Sequence, residues 1–367
     1  MTEQELKTYL AAIRGADEAA MAAARRRQAA LAKPPGSLGK LEDMAVRMAG
    51  VTGQVCPTVK KCRVAVFAAD NGVVAEGVSC APQSVTLQQA VNMTRRKTGM
   101  SALAQTFGDD VSVIDVGINA DVNCAAVLDR KVRRGTGNMA VEPAMTRAET
   151  LQALAAGLEA AARARADGID LLGVGEMGIG NTTTSAAVLA VLLDAEVDAV
   201  TGRGGGLTDE GFARKKQVLR RALALHHPDR NDVLDVLSKV GGLDIAAMTG
   251  AFLGCAHARI PAAVDGLISA VAALCAVRLC PAAADYLFLS HDSCEPGYRL
   301  AAAELGMTPC LRLGMRLGEG SGCPLLFRVL EAACGVMRGM ATFAEAAIQD
   351  DYLDEIRAAD AFTVEGA

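Results

Sequence analysis

A glutamate between glycines is the residue of this sequence best suited to meet a ligand. Glu319 lies within residues 316–322, which read Arg-Leu-Gly-Glu-Gly-Ser-Gly. Glycines on both sides disfavour a helix and let a ligand approach both the backbone and the carboxylate. The alternative is an ordinary solvated loop glutamate. The segment therefore predicts a carboxylate that faces a bound molecule.

A second glycine-rich segment is suited to binding an anion. The run beginning at residue 169 is apolar and predicts a buried strand, after which glycines crowd the turn up to residue 180. Thr182, Thr183 and Thr184 stand where a helix would begin. Backbone N–H groups and the positive end of a helix dipole favour a phosphate or carboxylate there. The alternative is a plain strand-to-helix turn whose threonines only cap the helix.

The same stretch also matches a dinucleotide-binding pattern. Gly173, Gly175 and Gly178 have the spacing Gly-x-Gly-x-x-Gly, and Asp194 follows about 20 residues later. This match predicts an NAD-dependent dehydrogenase as a rival function. Two facts weigh against it, since the pattern lies in mid-chain and Glu176 would stand beside a pyrophosphate of like charge.

A third glycine loop precedes a helix that carries a lysine. Residues 202–207 read Gly-Arg-Gly-Gly-Gly-Leu, Thr208 is the predicted N-cap, and Lys215 follows about two turns later. Flexible glycine with Arg203 and Lys215 suits an anionic group. A surface loop with a solvated lysine is the alternative.

Composition limits the class of protein. The chain has 367 residues, a formal net charge of −5 and 51% hydrophobic residues, while aromatic residues are only 3% and Trp is absent. Ala, Leu and Val must therefore build the core, which favours closely packed helices and α/β layers. This charge balance disfavours nucleic-acid binding.

The cysteines and the N-terminus predict a cytoplasmic protein. The 11 cysteines include no Cys-x-x-Cys pair, and the first residues resemble no secretory signal. An odd number of scattered thiols is typical of a reducing compartment. The longest apolar run, residues 266–277, is too short to span a bilayer and predicts a buried helix instead.

Strands and helices alternate through the middle of the chain. Predicted strands at 63–69, 111–116, 260–264 and 285–289 join the central one, and polar residues such as Asp70 and Ser290 follow where strands end. Open α/β sheets bind ligands at those carboxyl ends. We therefore predict an α/β fold with a doubly wound, mostly parallel, Rossmann-like sheet.

The two ends of the chain are predicted to be helical, from residue 2 to about 31 and from 325 to about 348. They do not belong to the strand–helix alternation. We expect an α/β domain over residues 61–324 that binds the nucleotide and base, and a small helical domain from residues 1–60 plus 325–367.

Seven segments in series resemble the nicotinate-nucleotide:dimethylbenzimidazole phosphoribosyltransferase family of cobamide assembly. Each is weak alone, but together they cover nearly the whole chain. They occupy residues 33–39, 70–88, 175–183, 202–215, 260–266, 290–295 and 316–322.

The resemblance implies a specific reaction. The ribose phosphate of nicotinate mononucleotide moves to a ring nitrogen of a benzimidazole-type base, with inversion, and nicotinate leaves. Glu319 corresponds to the family's catalytic base, and Glu176 resembles its acidic partner. A Glu within hydrogen-bond reach of the base N–H can remove that proton, and nearby carboxylates stabilise an oxocarbenium-like sugar.

The resemblance also implies substrate contacts, a homodimer, and no metal, cofactor or membrane. Since the cationic pyridinium leaves as a neutral ring, no metal is needed. The nucleotide would bind Met177, Gly178, Gly180, Asn181, Thr182, Thr183, Gly202, Arg203, Gly204, Lys215 and Ser293. The base would bind Asp70, Ser79, Cys80, Ala81, Gln88 and Leu317.

Two positions depart from the family pattern. Asn71 stands where the family often has His, and Ala81 stands where it commonly has an aromatic residue that would stack on the base. The preferred base therefore stays open between a benzimidazole, a purine such as adenine, and a phenol. A third hypothesis is a subunit that is active only with a partner chain, although the intact Glu319 argues against an inactive one.

Overall fold

A computed structural model gives the structure of residues 1–358, apart from the side chains of 356 and 357. The chain divides into two compact units. The first comprises Met1–Arg14 and Lys61–Leu326, and the second comprises Gly15–Lys60 and Phe327–Ala367. No helix among the described residues is long and apolar enough to cross a membrane.

A parallel sheet forms the centre of the first unit and confirms the predicted doubly wound α/β fold. Within residues 1–358 it has six strands in the order β3-β2-β1-β4-β5-β6, and every neighbouring pair is parallel. The short β3 was not predicted. The strands are β1 (Cys62–Ala69), β2 (Asp110–Gly117), β3 (Val127–Asp129), β4 (Leu171–Met177), β5 (Ala262–Val264) and β6 (Leu287–Leu289).

The strand order reverses between β1 and β4, which lie side by side. Sheets of this order bind ligands in the crevice at that switch point, beyond the carboxyl ends of the strands. Phe67 pairs with Glu176 and Ala68 pairs with Met177 in the parallel register. The last residues of β1 and β4 therefore open onto the crevice together.

Helices cover the sheet and build most of the second unit. Within the described residues they are α1 (Glu3–Ala11), α2 (Glu18–Ala30), α3 (Lys40–Thr52), α4 (Ser84–Thr94), α5 (Gly99–Phe107), α6 (Arg147–Ala166), α7 (Asn181–Leu193), α8 (Val197–Val200), α9 (Asp209–His226), α10 (Val233–Val240), α11 (Leu243–Ala258), α12 (Leu267–Leu279), α13 (Pro296–Glu304), α14 (Cys323–Gly339) and α15 (Asp354–Ala358), with 3₁₀ turns at Gly72–Glu76, Pro281–Tyr286 and Asp351–Leu353.

The two terminal helices are shorter than predicted. A single helix from residue 2 to 31 is wrong, because α1 ends at Ala11 and α2 begins only after the N-cap Asp17. Gly15 in the break offers little helix propensity, and an Ala-rich pattern hides such an interruption. The C-terminal helix α14 ends at Gly339, before the predicted residue 348.

Residues 1–14 group with the sheet unit, whereas the sequence placed them in the helical domain. Leu6 is buried, and the Tyr286 hydroxyl donates a hydrogen bond to the carbonyl oxygen of Arg14 at 2.8 Å. Tertiary contacts of this kind leave no mark in local sequence.

Two helices of the sheet unit pack unusually closely. α11 is buried on nearly every side, which fits a helix that is apolar all round. A Cβ at Gly157 of α6 would lie 1.8 Å from the carbonyl oxygen of Ala247, and a Cβ at Gly250 of α11 would lie 2.0 Å from that of Leu154. Glycine is therefore required where α6 and α11 meet backbone to backbone.

The second unit joins its two chain segments by backbone and side-chain hydrogen bonds. Phe343 N–H donates to the carbonyl oxygen of Ala30 at 3.0 Å, and Arg27 Nε donates to that of Met337 at 2.6 Å. A buried ion pair joins Lys33 and Glu42 at 2.6 Å. These contacts fix the predicted Lys33-Pro34-Pro35 segment against α3.

Candidate active site

A cavity of about 270 Å³ lies at the carboxyl ends of β1, β4, β5 and β6. It is open on one side. Its walls come from five parts of the sheet unit. The lining residues are 78–81, 85 and 89 after β1, 176–182 at the end of β4, 203–205 and 207 before α9, 266–268 after β5, and 293, 295 and 316–319 after β6.

The Gly-Glu-Gly turn presents a carboxylate to this cavity, as the sequence predicted. Glu319 lines the cavity and is only 6% exposed. Gln89 Nε2 donates a hydrogen bond to its Oε1 at 3.2 Å. Its Oε2 has no hydrogen-bond partner among the described residues. One oxygen is therefore held in place while the other remains available to accept a proton.

The turn lies directly on β4, and Gly175 makes this possible. A Cβ at Gly175 would lie 2.6 Å from the carbonyl oxygen of Glu319. Gly173 and Gly175 lie inside β4 and not in the turn that follows it. The dinucleotide hypothesis is therefore wrong, because its glycines must form the strand-to-helix turn itself.

Glu176 links the two acidic segments. Its Oε1 accepts a hydrogen bond from the backbone N–H of Glu319 at 3.0 Å, and its Oε2 accepts one from Asn181 Nδ2. The same amide donates to Asp244 Oδ2 at 3.0 Å. Burial raises the pKa of both Glu176 and Asp244 to about 7, against the lowering effect of these hydrogen bonds.

Helix α7 starts at the cavity, but its threonines do not cap it. The N-cap is Gly180, in the left-handed region at φ 96°, and no side chain caps the helix. Thr182 lines the cavity in the first turn. Thr183, predicted to bind the nucleotide, is fully buried and does not line the cavity, because it lies on the opposite face of the helix.

Lys215 stands behind Thr182 and not in the cavity wall. It is fully buried, and its Nζ donates a hydrogen bond to Thr182 Oγ1 at 2.8 Å. Burial lowers the pKa of Lys215 to about 8, and the nearby Glu295 carboxylate opposes that shift. The lysine therefore acts on the cavity through one hydroxyl group and through its charge.

The loop before α9 contributes backbone to the cavity. Gly204 and Arg203 line it, but the Arg203 guanidinium is already bonded to Asp209 and to the carbonyl oxygen of Leu207. Gly202, predicted to bind the nucleotide, does not line the cavity. A Cβ there would lie 1.8 Å from Glu295 Oε2, so this glycine makes room for a carboxylate.

The side of the cavity after β1 is formed by small residues. Ser79, Cys80 and Ala81 line it, and the Ser79 hydroxyl accepts the N–H of Ala81 at 3.2 Å. Leu317, 57% exposed, lines the opposite wall at the mouth. These four residues lie where the sequence placed them.

Two residues predicted to contact the base do not line the cavity. Asp70 is 3% exposed and turns towards the loop after β2, where its Oδ2 accepts the N–H of Asn119 at 2.8 Å. Gln88 is exposed on α4, and the next residue, Gln89, lines the cavity instead. Successive helix residues point about 100° apart, so an error of one position exchanges a residue that faces the cavity for one that faces solvent.

The other predicted residues line the cavity together, namely Glu319, Glu176, Met177, Gly178, Gly180, Asn181, Thr182, Arg203, Gly204, Ser293, Ser79, Cys80, Ala81 and Leu317. Sequence reasoning missed Gln89 and Glu295, which also line it, and Asp244 behind it. Gln89 could have been found from its spacing, because Val85 and Gln89 are four residues apart and share one face of the helix. Within residues 1–358, no group of three or more His, Cys, Asp or Glu side chains is arranged to hold a metal ion.

Comparison with known sequences identifies relatives along nearly the whole chain. The sequence model of the DBI_PRT phosphoribosyltransferase family matches residues 13–348. The chain is 48% identical over 359 residues to the nicotinate-nucleotide–dimethylbenzimidazole phosphoribosyltransferase of Clostridium perfringens, covering 98% of this chain and 99% of the relative. The protein of the same name from Geobacter metallireducens is 46% identical over 345 residues, which are 94% of this chain and 98% of the relative.

A solved structure agrees with these matches. The crystal structure of the nicotinate-nucleotide–dimethylbenzimidazole phosphoribosyltransferase from Thermus thermophilus has a TM-score of 0.86 to this chain at 43% identity. The match covers 91% of this chain and 99% of that one.

Proposed function

The chain belongs to the DBI_PRT phosphoribosyltransferase family, and from that membership we infer which reaction its cavity carries out. The enzyme transfers the phosphoribosyl group of nicotinate mononucleotide to 5,6-dimethylbenzimidazole or a related base. It forms the α-ribazole 5′-phosphate and nicotinate, in assembly of the cobamide nucleotide loop. One observation carries this inference: Glu319, with one free carboxylate oxygen, faces the same cavity as the start of α7.

We propose that Glu319 is the general base. Its Oε2 takes the N–H proton of the incoming base, while the other ring nitrogen forms the bond to C1′ of the ribose. The bond from C1′ to the pyridinium nitrogen breaks, and its electron pair neutralises the ring as nicotinate leaves. Attack on the face opposite the leaving group inverts C1′.

Glu176 has two roles in this proposal. It lines the cavity, so its ionised form stabilises the positive charge that develops on the ribose. Its Oε1 also accepts the backbone N–H of Glu319 at 3.0 Å and so helps to orient the general base.

The nucleotide phosphate is placed at the start of α7. Gly178, Gly180, Thr182 and Gly204 line that wall, and the helix dipole favours an anion there. The positive charge of Lys215 lies directly behind Thr182. We place the base between Ala81 and Leu317, where Glu319 and Gln89 can reach its ring nitrogen.

The test is incubation of the purified chain with nicotinate mononucleotide and a panel of bases, namely dimethylbenzimidazole, adenine and a phenol. We expect an α-nucleotide with dimethylbenzimidazole, identified by mass and by the anomeric proton, with release of one nicotinate per product. Absence of nicotinate release with every base would overturn the proposed function. Activity only after addition of a second protein would instead favour the two-chain hypothesis.

We also propose a cytoplasmic homodimer. The eleven cysteines are free thiols in the structure, which is typical of a reducing compartment. The family resemblance is what suggests the dimer. Sedimentation of the purified protein measures its mass directly, and a monomer would contradict this proposal.

Gln89 is expected to matter for catalysis and Gln88 is not. In Gln89→Ala, Glu319 Oε1 loses its donor and the carboxylate can rotate, so kcat falls about tenfold, as for a lost hydrogen bond to a charged group. Gln88→Ala is the matched control, and since its side chain is exposed we expect kcat within about twofold of wild type. Steady-state rates of the two variants decide this, and equal effects would contradict the placement of α4.

Lys215 gives the reaction a pH dependence. Since the pKa of Lys215 lies at about 8, its positive charge is present below that pH and is lost above it. We expect kcat/KM for nicotinate mononucleotide to fall as pH rises through about 8, because this ratio reports the free enzyme.

Lys215→Met removes the charge and nearly keeps the volume, so we expect a raised KM for the nucleotide and a kcat/KM that no longer falls as pH rises through about 8. Lys216→Met is the control, because Lys216 pairs with Asp198 on the outer side of α9. A wild-type profile flat from pH 7 to pH 9 would show that Lys215 does not affect nucleotide binding.

A further inference from the structure

Three polar residues from two of the seven sequence segments have no role in the reaction described above. Asp265 follows β5 in residues 260–266, and Ser290 and His291 follow β6 in residues 290–295. All three side chains are buried, with 2% exposure or less. They meet behind the turn that carries Glu319.

Asp265 accepts backbone hydrogen bonds from both ends of this turn. Its Oδ2 accepts the N–H of Gly320 at 2.9 Å, and its Oδ1 accepts the N–H of Gly322 at 2.7 Å. Glu176 accepts the N–H of Glu319, and the N–H of Ser321 donates to the carbonyl oxygen of Gly318 at 2.9 Å. Three of the four consecutive amides from 319 to 322 therefore bind buried carboxylates.

The turn needs such support because its backbone conformation is unfavourable. Gly318, Glu319 and Gly320 all lie in the left-handed region, at φ of 82°, 63° and 85°. Glycine adopts that region freely, but a glutamate there costs about 1 kcal/mol. The Glu176 and Asp265 carboxylates accept the amides of the turn, and so they hold Glu319 in this conformation with its side chain in the cavity.

Ser290 and His291 pack against the turn beside Asp265, with His291 Nδ1 3.8 Å from Asp265 Oδ1. A Cβ at Gly322 would lie 2.4 Å from both Ser290 Oγ and His291 Nδ1. Ser290 Oγ lies 3.0 Å from His291 Nδ1 and donates to the carbonyl oxygen of Asp265 at 3.4 Å. The Gly322 end of the turn therefore packs tightly against Ser290, His291 and Asp265 together.

We propose that Asp265 is a positioning residue for the transfer reaction, holding the backbone of residues 319–322 so that the Glu319 carboxylate meets the base N–H. It does not line the cavity and acts only through Glu319. The inference rests on the proposed function, because it assigns Asp265 a role in that reaction.

Asp265→Asn tests this role. An asparagine has one acceptor oxygen, so its NH₂ group would face one of the two turn amides, donor against donor. The turn should shift, and we expect kcat to fall about 100-fold, the loss caused by a displacement of about 1 Å at a catalytic group. KM for nicotinate mononucleotide should stay unchanged, because the phosphate wall after β4 is untouched.

Asp115→Asn is the matched control. Asp115 is equally buried, at 2% exposure, and its Oδ1 accepts the N–H of Gly117 at 3.0 Å and of Ile118 at 2.8 Å. It lies within β2, near the carboxyl end of the strand, and does not line the cavity. We expect lower stability in this variant with kcat within about twofold of wild type.

A double variant separates positioning from a general structural role. If Asp265 acts through Glu319, then Asp265→Asn combined with Glu319→Gln should be no slower than Glu319→Gln alone. Multiplied losses would overturn the proposal, and so would an active Asp265→Asn enzyme with wild-type kcat.

Gly322→Ala disturbs the same turn without changing Asp265, because the added Cβ would clash with Ser290 and His291. It should show the same loss of kcat with unchanged KM, and it decides the matter if Asp265→Asn does not fold. If the wild-type chain makes no α-nucleotide, the proposed function itself has failed, a result distinguishable from any effect of the variants.

Discussion

We expect Glu319→Gln to lower kcat for α-nucleotide formation by about 10³-fold, within the range that a general base contributes. The amide keeps the volume of the side chain and can still bind near Gln89, but it cannot take the proton of the base. Glu319 is only 6% exposed and its Oε2 has no partner among the described residues, so the substitution removes the proton acceptor without breaking a hydrogen bond to that oxygen. Single-turnover formation of the product, measured by mass, gives the rate of the chemical step.

Two comparisons make this result interpretable. Glu142→Gln makes the same chemical change on an exposed loop, and its kcat should stay within about twofold of wild type. A base methylated on one nitrogen has no N–H to lose, so Glu319→Gln should slow its transfer far less than that of dimethylbenzimidazole. A Glu319→Gln enzyme at full rate with dimethylbenzimidazole would remove the assigned role.

Gly157→Ala is expected to reduce the free energy of unfolding by about 3 kcal/mol, the upper part of the range for an overpacked core. The added Cβ would lie 1.8 Å from the carbonyl oxygen of Ala247 and 2.5 Å from the backbone nitrogen of Ala251. Neither backbone atom can move alone, so α6 and α11 must separate along their contact. Helix propensity favours alanine over glycine by about 1 kcal/mol, so the cost of the steric clash must be larger than this gain for the variant to be destabilised.

Gly335→Ala is the control for the propensity term. Gly335 lies within α14, and a Cβ there would meet no atom within 4 Å. This variant should be as stable as wild type or more stable by about 1 kcal/mol. Urea unfolding with equal m values compares the two, and a Gly157→Ala protein of unchanged midpoint would show that α6 and α11 do not touch at this point.

Local signals in the sequence were sufficient for the framework of the fold. The predicted strand 63–69 and the predicted buried helix 266–277 are observed with almost the same limits, as β1 and α12. The predicted N-cap at Thr208 is also observed. Such features depend on residues within one turn or one strand, so the sequence contains them completely.

The turn that carries Glu319 was also recognisable, because a glutamate between glycines is unusual in any regular element. The sequence predicted that Glu319 faces a ligand, and the structure places it in the cavity. Its support could not be predicted. Glu176 is 143 residues away along the chain and Asp265 is 55 residues away, and both reach the turn only when β4 and β5 are neighbours.

The sequence by itself determined that this chain is an α/β protein with acidic and glycine-rich segments at its strand ends, because hydrophobic period and turn residues are local properties. Only the tertiary structure decided that Gln89 and not Gln88 faces the cavity, and that Lys215 stands behind Thr182. The rotation of a helix is fixed by what packs against it. Residues 175 and 202 must likewise be glycine only because Glu319 and Glu295 pack closely against them. No local sequence pattern encodes these tertiary contacts.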